Sequence, residues 1–260
     1  MFSTSIETVI DVRSSVNRPG NTLLATLPLE DYQRVESHLS IVQLSVQQIL
    51  YKQSEVIQHV FFPGGGACSL TKVMGNGTIA EIATIGKEGV IGASVFFGDD
   101  QSFGEAIVQV AEGDGFRMPV EAFVMEMARR GAFYNRIIRY SQALMSQVMQ
   151  TTVCNGLHSA EQRCCRWLLM TYDRVGRDHL RLTHELIAMM LGVRRPTVTL
   201  IIGALQRAGL VEGRRGVIHI TDRPGLEAAS CECYETVKAT VARLRPEMSP
   251  ALRVRFRIDR

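Results

Sequence analysis

The sequence predicts an α+β chain in three parts. A jelly-roll barrel (a double-stranded β-helix) comes first, then a long helix, then a small helical domain closed by a hairpin. Three observations carry this reading. Between about residues 43 and 117, short β-prone runs alternate with glycine-rich turns. From Val120 the apolar period becomes helical, and no proline occurs between Ala122 and Leu157. Between Arg181 and Asp222, two short amphipathic runs separated by a glycine turn precede two short strand-like runs.

In chain order, residues 1–20 lack periodicity, end in Arg18-Pro19-Gly20, and read as a flexible arm. Residues 28–39 place Leu29, Tyr32, Val35 and Leu39 at helical steps of three and four, which predicts a short helix. Strands are predicted at residues 48–52, 56–62, 67–74, 78–85 and 105–111. The turns between them are Pro63-Gly64-Gly65-Gly66, Gly75-Asn76-Gly77, Gly86-Lys87-Glu88-Gly89 and Gly98-Asp99-Asp100. Gly75-Asn76-Gly77 is the strongest hairpin signal, because glycine and asparagine tolerate the positive φ of a tight turn. Five or more short strands suit a closed barrel over residues 21–119.

The segment 120–156 then reads as one helix. At ~35 residues it would be ~50 Å long, more than one small barrel can cover. Ile137, Tyr140, Ser141, Leu144, Val148 and Thr151 recur near a heptad spacing and are the expected seam with a second copy. The alternative is two helices broken near Gly131, both serving one subunit. Residues 157–260 form the last domain. Residues 159–175 predict a helix whose apolar side includes Cys164, Leu168 and Trp167, the single tryptophan, expected to be packed rather than functional.

Thr183 is a good N-cap for a helix ending at Gly192. A second helix opens at Arg195-Pro196, where proline is tolerated because a first-turn N–H lacks a helical partner. Val198, Ile201, Ile202, Leu205 and Ala208 form its apolar stripe, leaving Arg195, Pro196, Thr197 and Thr199 outward, followed by Gly203, Gln206 and Arg207. This is helix, four-residue turn, helix. In such a unit the start of the second helix faces base edges, arginine offers a fork to guanine, and threonine reaches phosphate or a thymine methyl. The strands after it flank Gly213-Arg214-Arg215-Gly216, a loop suited to lie along phosphates as a wing.

Charge distribution points the same way. Residues 1–157 carry 11 Lys/Arg against 15 Asp/Glu, while residues 158–260 carry 18 against 11. Only the last part is suited to a polyanion. Neither a membrane span nor a secretory signal is expected, so the expected address is the cytoplasm. The six cysteines are read as thiols of structural or incidental use. Cys164-Cys165 and Cys231-x-Cys233 are not spaced as zinc ligands, so no metal is expected.

Residues 158–234 resemble the DNA-binding domain of the Crp/Fnr family of bacterial regulators. The resemblance rests on Leu182-Thr183, on Leu191-Gly192-Val193-Arg194-Arg195-Pro196-Thr197-Val198-Thr199, on Ala208-Gly209-Leu210-Val211 and on Gly216-Val217-Ile218. His59 to Leu70 (HVFFPGGGACSL) and residues 85–97 are similar to that family's cyclic-nucleotide-binding-like barrel, and residues 122–156 fall at its dimer helix. The resemblance implies a homodimeric, sequence-specific winged helix-turn-helix regulator, activator or repressor, that binds a near-palindromic duplex site and meets RNA polymerase. It implies base reading by Arg195, phosphate contact by His184, backbone contacts by Arg194 and Thr197, and wing contacts by Arg214 and Arg215. Pro196 stands where many members have glutamate, and Leu200 where some have a second arginine, so the usual target sequence is not carried over.

The family's nucleotide-binding members hold a cyclic phosphate with a Gly-Glu step and an Arg-Ser/Thr pair. Here the matching positions are Gly92-Ala93 and Phe103-Gly104, and no Lys or Arg lies between Lys87 and Arg117. Burying an anion there without a cation is costly, so cyclic AMP is not expected as cofactor and any effector occupying these four positions is of another kind. Two other classes stay open. A cyclic-nucleotide-like signalling module could act through protein partners instead of DNA. A cupin-like metal enzyme is disfavoured because the first half offers only His38 and His59, and no nucleophile–base set appears, so no enzyme is expected.

Overall fold

A computed structural model describes residues 19–111, 113–214 and 216–244. The expected arm, Arg215 and the arginine-rich tail at residues 253–258 lie wholly or mostly outside these.

Two short helices, α1 (Thr22–Ala25) and α2 (Leu29–Glu36), lead into the barrel. Asn21 is fully buried and joins three segments. Its Nδ2 donates to the carbonyls of Pro63 and Gly89 at 2.9 Å each, and its Oδ1 accepts from the Leu24 N–H. The barrel strands are β1 (Ser40–Gln43), β2 (Ile49–Tyr51), β3 (His59–Phe62), β4 (Ala67–Val73), β5 (Ile79–Ile85), β6 (Glu105–Val110) and β7 (Asp114–Pro119). They form an antiparallel sheet in the order β1-β7-β3 and another in the order β2-β6-β4-β5. This is the jelly-roll arrangement expected from the turn spacing. The β4–β5 hairpin closes over Gly75-Asn76-Gly77, with Gly77 at φ 80°. β1 and β7 escaped prediction. β1 is mostly exposed, and β7 carries the polar residues Asp114 and Arg117, so neither shows an apolar run.

The long helix is not continuous. α3 (Val120–Ala128) ends at Arg129, Arg130 adopts φ 53°, and Gly131 starts α4 (Ala132–Leu157) from extended backbone. The break corrects the single helix over residues 120–156, in favour of the alternative at Gly131. A residue with a left-handed φ cannot continue a right-handed helix. At 26 residues α4 is about 39 Å long. Its first half belongs to the barrel core. Phe133 packs between Phe62 and Phe123, with ring centroids 6.3 and 5.8 Å away, and Ile137 and Tyr140 are buried there too. Gly89 is required where Tyr140 meets the barrel, since a Cβ on it would lie 2.4 Å from the tyrosine ring.

The last domain comprises α5 (Ala160–Val175), β8 (His179–Arg181), α6 (His184–Leu191), α7 (Arg195–Arg207), β9 (Val211–Arg214), β10 (Val217–Ile220), α8 (Arg223–Ala229) and α9 (Cys233–Ala242). α5 opens with a capping box in which the Ser159 side chain and Gln162 satisfy each other's backbone N–H. A second core gathers Trp167, Leu168, Ile187, Val198, Ile202 and Tyr234. This domain docks on its own barrel through polar contacts. The indole N–H of Trp167 donates to Glu81 Oε2 at 2.7 Å. Arg174 donates to Glu88 at 2.9 Å and to Gln147 at 3.2 Å, and Gln147 donates to the Thr84 carbonyl. Trp167 is packed as expected, but it is also one polar link between the two cores.

Candidate nucleic-acid interface

α6 and α7 form the helix-turn-helix. Thr183 caps α6 by accepting from the Leu186 N–H, and Gly192, at φ 63°, ends it in the left-handed conformation that favours glycine. The axes of α6 and α7 turn by 109°, within the range of such motifs. Arg194 is the N-cap residue of α7, Arg195 and Pro196 lie in its first turn, and Val198, Ile201, Ile202 and Leu205 bury its inner side. The outer side is therefore dictated by helical spacing. Arg195, Pro196, Thr199, Leu200 and Gln206 are exposed, and Thr197 is half-buried.

Short-range contacts organise this surface. Arg195 Nε pairs with Glu185 Oε2 at 3.0 Å, both side chains being largely exposed. Such an exposed pair is weak and exchangeable, so the guanidinium is positioned yet available. His184 Nδ1 lies 3.1 Å from Thr199 Oγ1, and that hydroxyl also donates to the Arg195 carbonyl. β9 and β10 form the wing, with Val217 opposite Arg214, and β8 adds a third strand beside β10. Gln206 Nε2 donates to the Gly213 carbonyl at 3.3 Å and so ties α7 to the wing. A groove of about 330 Å³ runs between them, lined by His184, Glu185, Arg195, Gln206 and Arg214 among others. At the wing's root, hydrogen bonds from His219 and then His179 hold the Asp178 carboxyl below its ordinary range.

The structure thus brings together His184, Arg194, Arg195, Pro196, Thr197, Thr199 and Arg214 on one side of the domain. Arg215 lies outside the described residues. Leu200, Glu185 and Gln206 also belong to this surface and were not among the residues expected to contact DNA. Leu200 is 74% exposed, which is unusual for a leucine on a structured helix. Its outward position, between the inward Val198 and Ile201, was readable from helical spacing, but its role was not.

A family model described as a Crp-like helix-turn-helix domain matches residues 162–229. Among solved structures, FixK2 from Bradyrhizobium japonicum superposes with a TM-score of 0.63 at 14% identity, covering 74% of this chain and 98% of that one. A putative Crp/Fnr-family regulator from Eubacterium rectale gives 0.62 at 20% identity, covering 78% and 94%. A CRP-family regulator from Thermus thermophilus gives 0.60 at 16%, covering 73% and 96%. Residues 162–229 are a Crp-like helix-turn-helix domain in a chain with the Crp/Fnr fold. No curated relative matches the chain. In the Crp-like domain, Arg195 and Arg214 border the same groove.

Two of the six expected seam residues on α4 are taken up by their own barrel. Ile137 and Tyr140 are buried in the barrel of their own chain, and Leu144 packs against the same core. Ser141 and Val148 are half-buried, and the Thr151 hydroxyl accepts from Arg166 at 2.9 Å. The first part of the heptad pattern marked the inner face of an amphipathic helix. Periodicity does not say whether that face meets the chain's own barrel or a second copy. The face left open carries Met145, Met149, Val153 and Leu157, spaced by four and each about half or more exposed.

The four expected effector positions occupy unlike settings. Gly92, at φ 89°, caps a 3-10 helix (Ala93–Phe97), Ala93 is buried, Phe103 is exposed, and Gly104 lies against the Thr71 carbonyl. A cavity of about 510 Å³ lies between the barrel, α5 and α9, where Lys87, Arg136, Arg174 and Lys238 line it together with Tyr140 and Val241. Among the described residues no single helix is long and apolar enough to cross a membrane.

The cysteines divide into two groups. Cys68 and Cys165 are buried, and burial pushes their thiols up to about 12. Cys164 is raised further by the same cause. These three are inert packing residues, as expected. Cys154, Cys231 and Cys233 instead form a small cluster of their own.

Proposed function

We propose that this chain is a sequence-specific DNA-binding transcription regulator that acts as a homodimer on a near-palindromic site. The observation that carries the reading is the outward first turn of α7, with Arg195 beside the Arg214 wing across one groove. Two copies joined along the Met145, Met149, Val153 and Leu157 stripe would present two such helices. Two-fold symmetry then requires half-sites about one helical turn apart. Such a protein works in the cytoplasm with its DNA, its barrel serving as sensor or scaffold and RNA polymerase as its downstream partner. No catalytic step is needed. The barrel does not take a cyclic nucleotide in the usual way, because Gly92-Ala93 and Phe103-Gly104 supply neither carboxylate nor cation. Micromolar binding of cyclic AMP in calorimetry would refute that part.

The test is selection of bound sites from random duplex DNA. The expected product is an inverted repeat whose binding weakens steeply with salt. Enrichment of no sequence, or of a single unpaired half-site, would reject the proposal. A protein that ignores duplex DNA even at low salt would favour the protein-partner module instead.

A further inference from the structure

Four potential metal ligands converge where α4 meets the turn between α8 and α9. Cys154 and His158 lie one helical turn apart at the end of α4. Cys231 and Cys233 flank the start of α9. One donor atom from each of the four lies within 4.8 Å of all the others. Cys154 Sγ is 3.5 Å from Cys231 Sγ, and Cys233 Sγ is 3.6 Å from His158 Nδ1.

These separations match one particular coordination. A tetrahedral zinc ion with Zn–S near ~2.3 Å and Zn–N near ~2.05 Å places two sulfurs about 3.8 Å apart, and a sulfur and a nitrogen about 3.6 Å apart. A disulfide needs its sulfurs at ~2.05 Å and leaves two of the four groups without purpose. We infer that Cys154, His158, Cys231 and Cys233 form a Cys3His site for one tetrahedral zinc-class ion.

The surroundings fit that site. His158 Nε2 sits 3.3 Å from Glu232 Oε1, so Nδ1 is left for the metal while the other ring nitrogen donates to a carboxylate. Gln150 Nε2 lies 3.0 Å from Cys233 Sγ and donates to it. Binding sends the three thiol protons to water, and three thiolates with one divalent ion carry a net charge of −1. The buried guanidinium of Arg166 is an electrostatic neighbour of Cys154, and its Nη1 has no hydrogen-bond partner among the described residues. It supplies the compensating charge. The tight donor spacing favours a single ion over a multi-iron cluster. The site joins the end of α4 to α9, which packs on the core of the Crp-like domain through Tyr234 and Val237, so it fixes how that domain is carried on the helix proposed to pair two copies.

The test uses the full chain, purified without added metal. Elemental analysis should find about one zinc per chain, and exchange with cobalt should give the intense visible bands of a tetrahedral site with thiolate charge transfer. Cys154→Ser, Cys233→Ser and His158→Ala should lose the ion. His158→Cys should keep it with a shifted cobalt spectrum. Cys164→Ser, at a buried thiol outside the site, should keep it unchanged. The cobalt spectrum of the unaltered chain keeps the test decisive even if a variant misfolds. The inference is overturned by any of four results: no stoichiometric zinc with only weak octahedral cobalt bands, iron with labile sulfide in place of zinc, a Cys154–Cys231 disulfide in anaerobically purified chain, or loss of metal from Cys164→Ser equal to that from Cys154→Ser.

Discussion

Replacing Trp167 with phenylalanine should reveal how strongly the Crp-like domain is fastened to the barrel. The indole N–H donates to Glu81 at 2.7 Å, and Ser69 and Thr84 donate to the same carboxylate. A hydrogen bond to a charged group contributes about 1.5–3 kcal/mol. Trimming the indole to a phenyl ring at a site only 3% exposed adds about 1 kcal/mol of lost packing. Trp167→Phe should therefore destabilise the chain by about 2.5–4 kcal/mol. Because the change removes the only tryptophan, urea unfolding followed by far-ultraviolet circular dichroism is the suitable assay. Glu81→Met, close in volume, leaves the indole with no acceptor. In that background Trp167→Phe should cost about 1.5–3 kcal/mol less than in the unaltered chain. Additive costs, with coupling below about 0.5 kcal/mol, would refute the link.

Three further outcomes follow from named contacts. Burial raises the Glu81 carboxyl above its ordinary range despite its three donors, so folding favours its neutral form relative to the unfolded chain and holding it ionised costs stability. That contribution is present at low pH and lost as pH rises through the folded value. Glu81→Gln should therefore gain melting temperature relative to the unaltered chain at pH 7.5 but not at pH 4.5, and the reverse order would contradict the assignment. Arg214→Ala should weaken all duplexes alike and flatten the salt slope by ~1.8 in a dimer, so that between 50 and 200 mM salt the unaltered protein loses about tenfold more affinity than the variant. An unchanged slope in titrations would remove Arg214 from the phosphate contacts. Met149→Glu, on the open face of α4, should convert dimer to monomer in light scattering, and a persistent dimer would place the pairing elsewhere.

The parts of the fold legible in the sequence are those whose local chemistry is self-sufficient. Gly75-Asn76-Gly77, Thr183, Gly192 and Arg195-Pro196 each specify a turn or a cap without help from distant residues, and the helix-turn-helix and its outward face followed from them. Periodicity also identified α4, but not its partner: Ile137 and Tyr140 face the barrel because Gly89 leaves room for the tyrosine ring, a tertiary fact. The α3–α4 break was open to either reading, since helices tolerate one glycine at modest cost. Strands such as β1, mostly exposed, leave no apolar trace. The thiol–imidazole cluster was unreadable for a different reason. Cys154 and Cys231 are 77 residues apart, and only the packing of α9 along α4 makes them neighbours.

The central claim is that the first turn of α7 reads base edges. The most direct measurement is a complete base-pair substitution scan of the selected site, made with the unaltered protein and with Arg195→Ala. One symmetry-related pair of positions should lose about 1–3 kcal/mol of discrimination in the variant, while every other position keeps its preference. An identical profile for both proteins, with equal affinity, would contradict it.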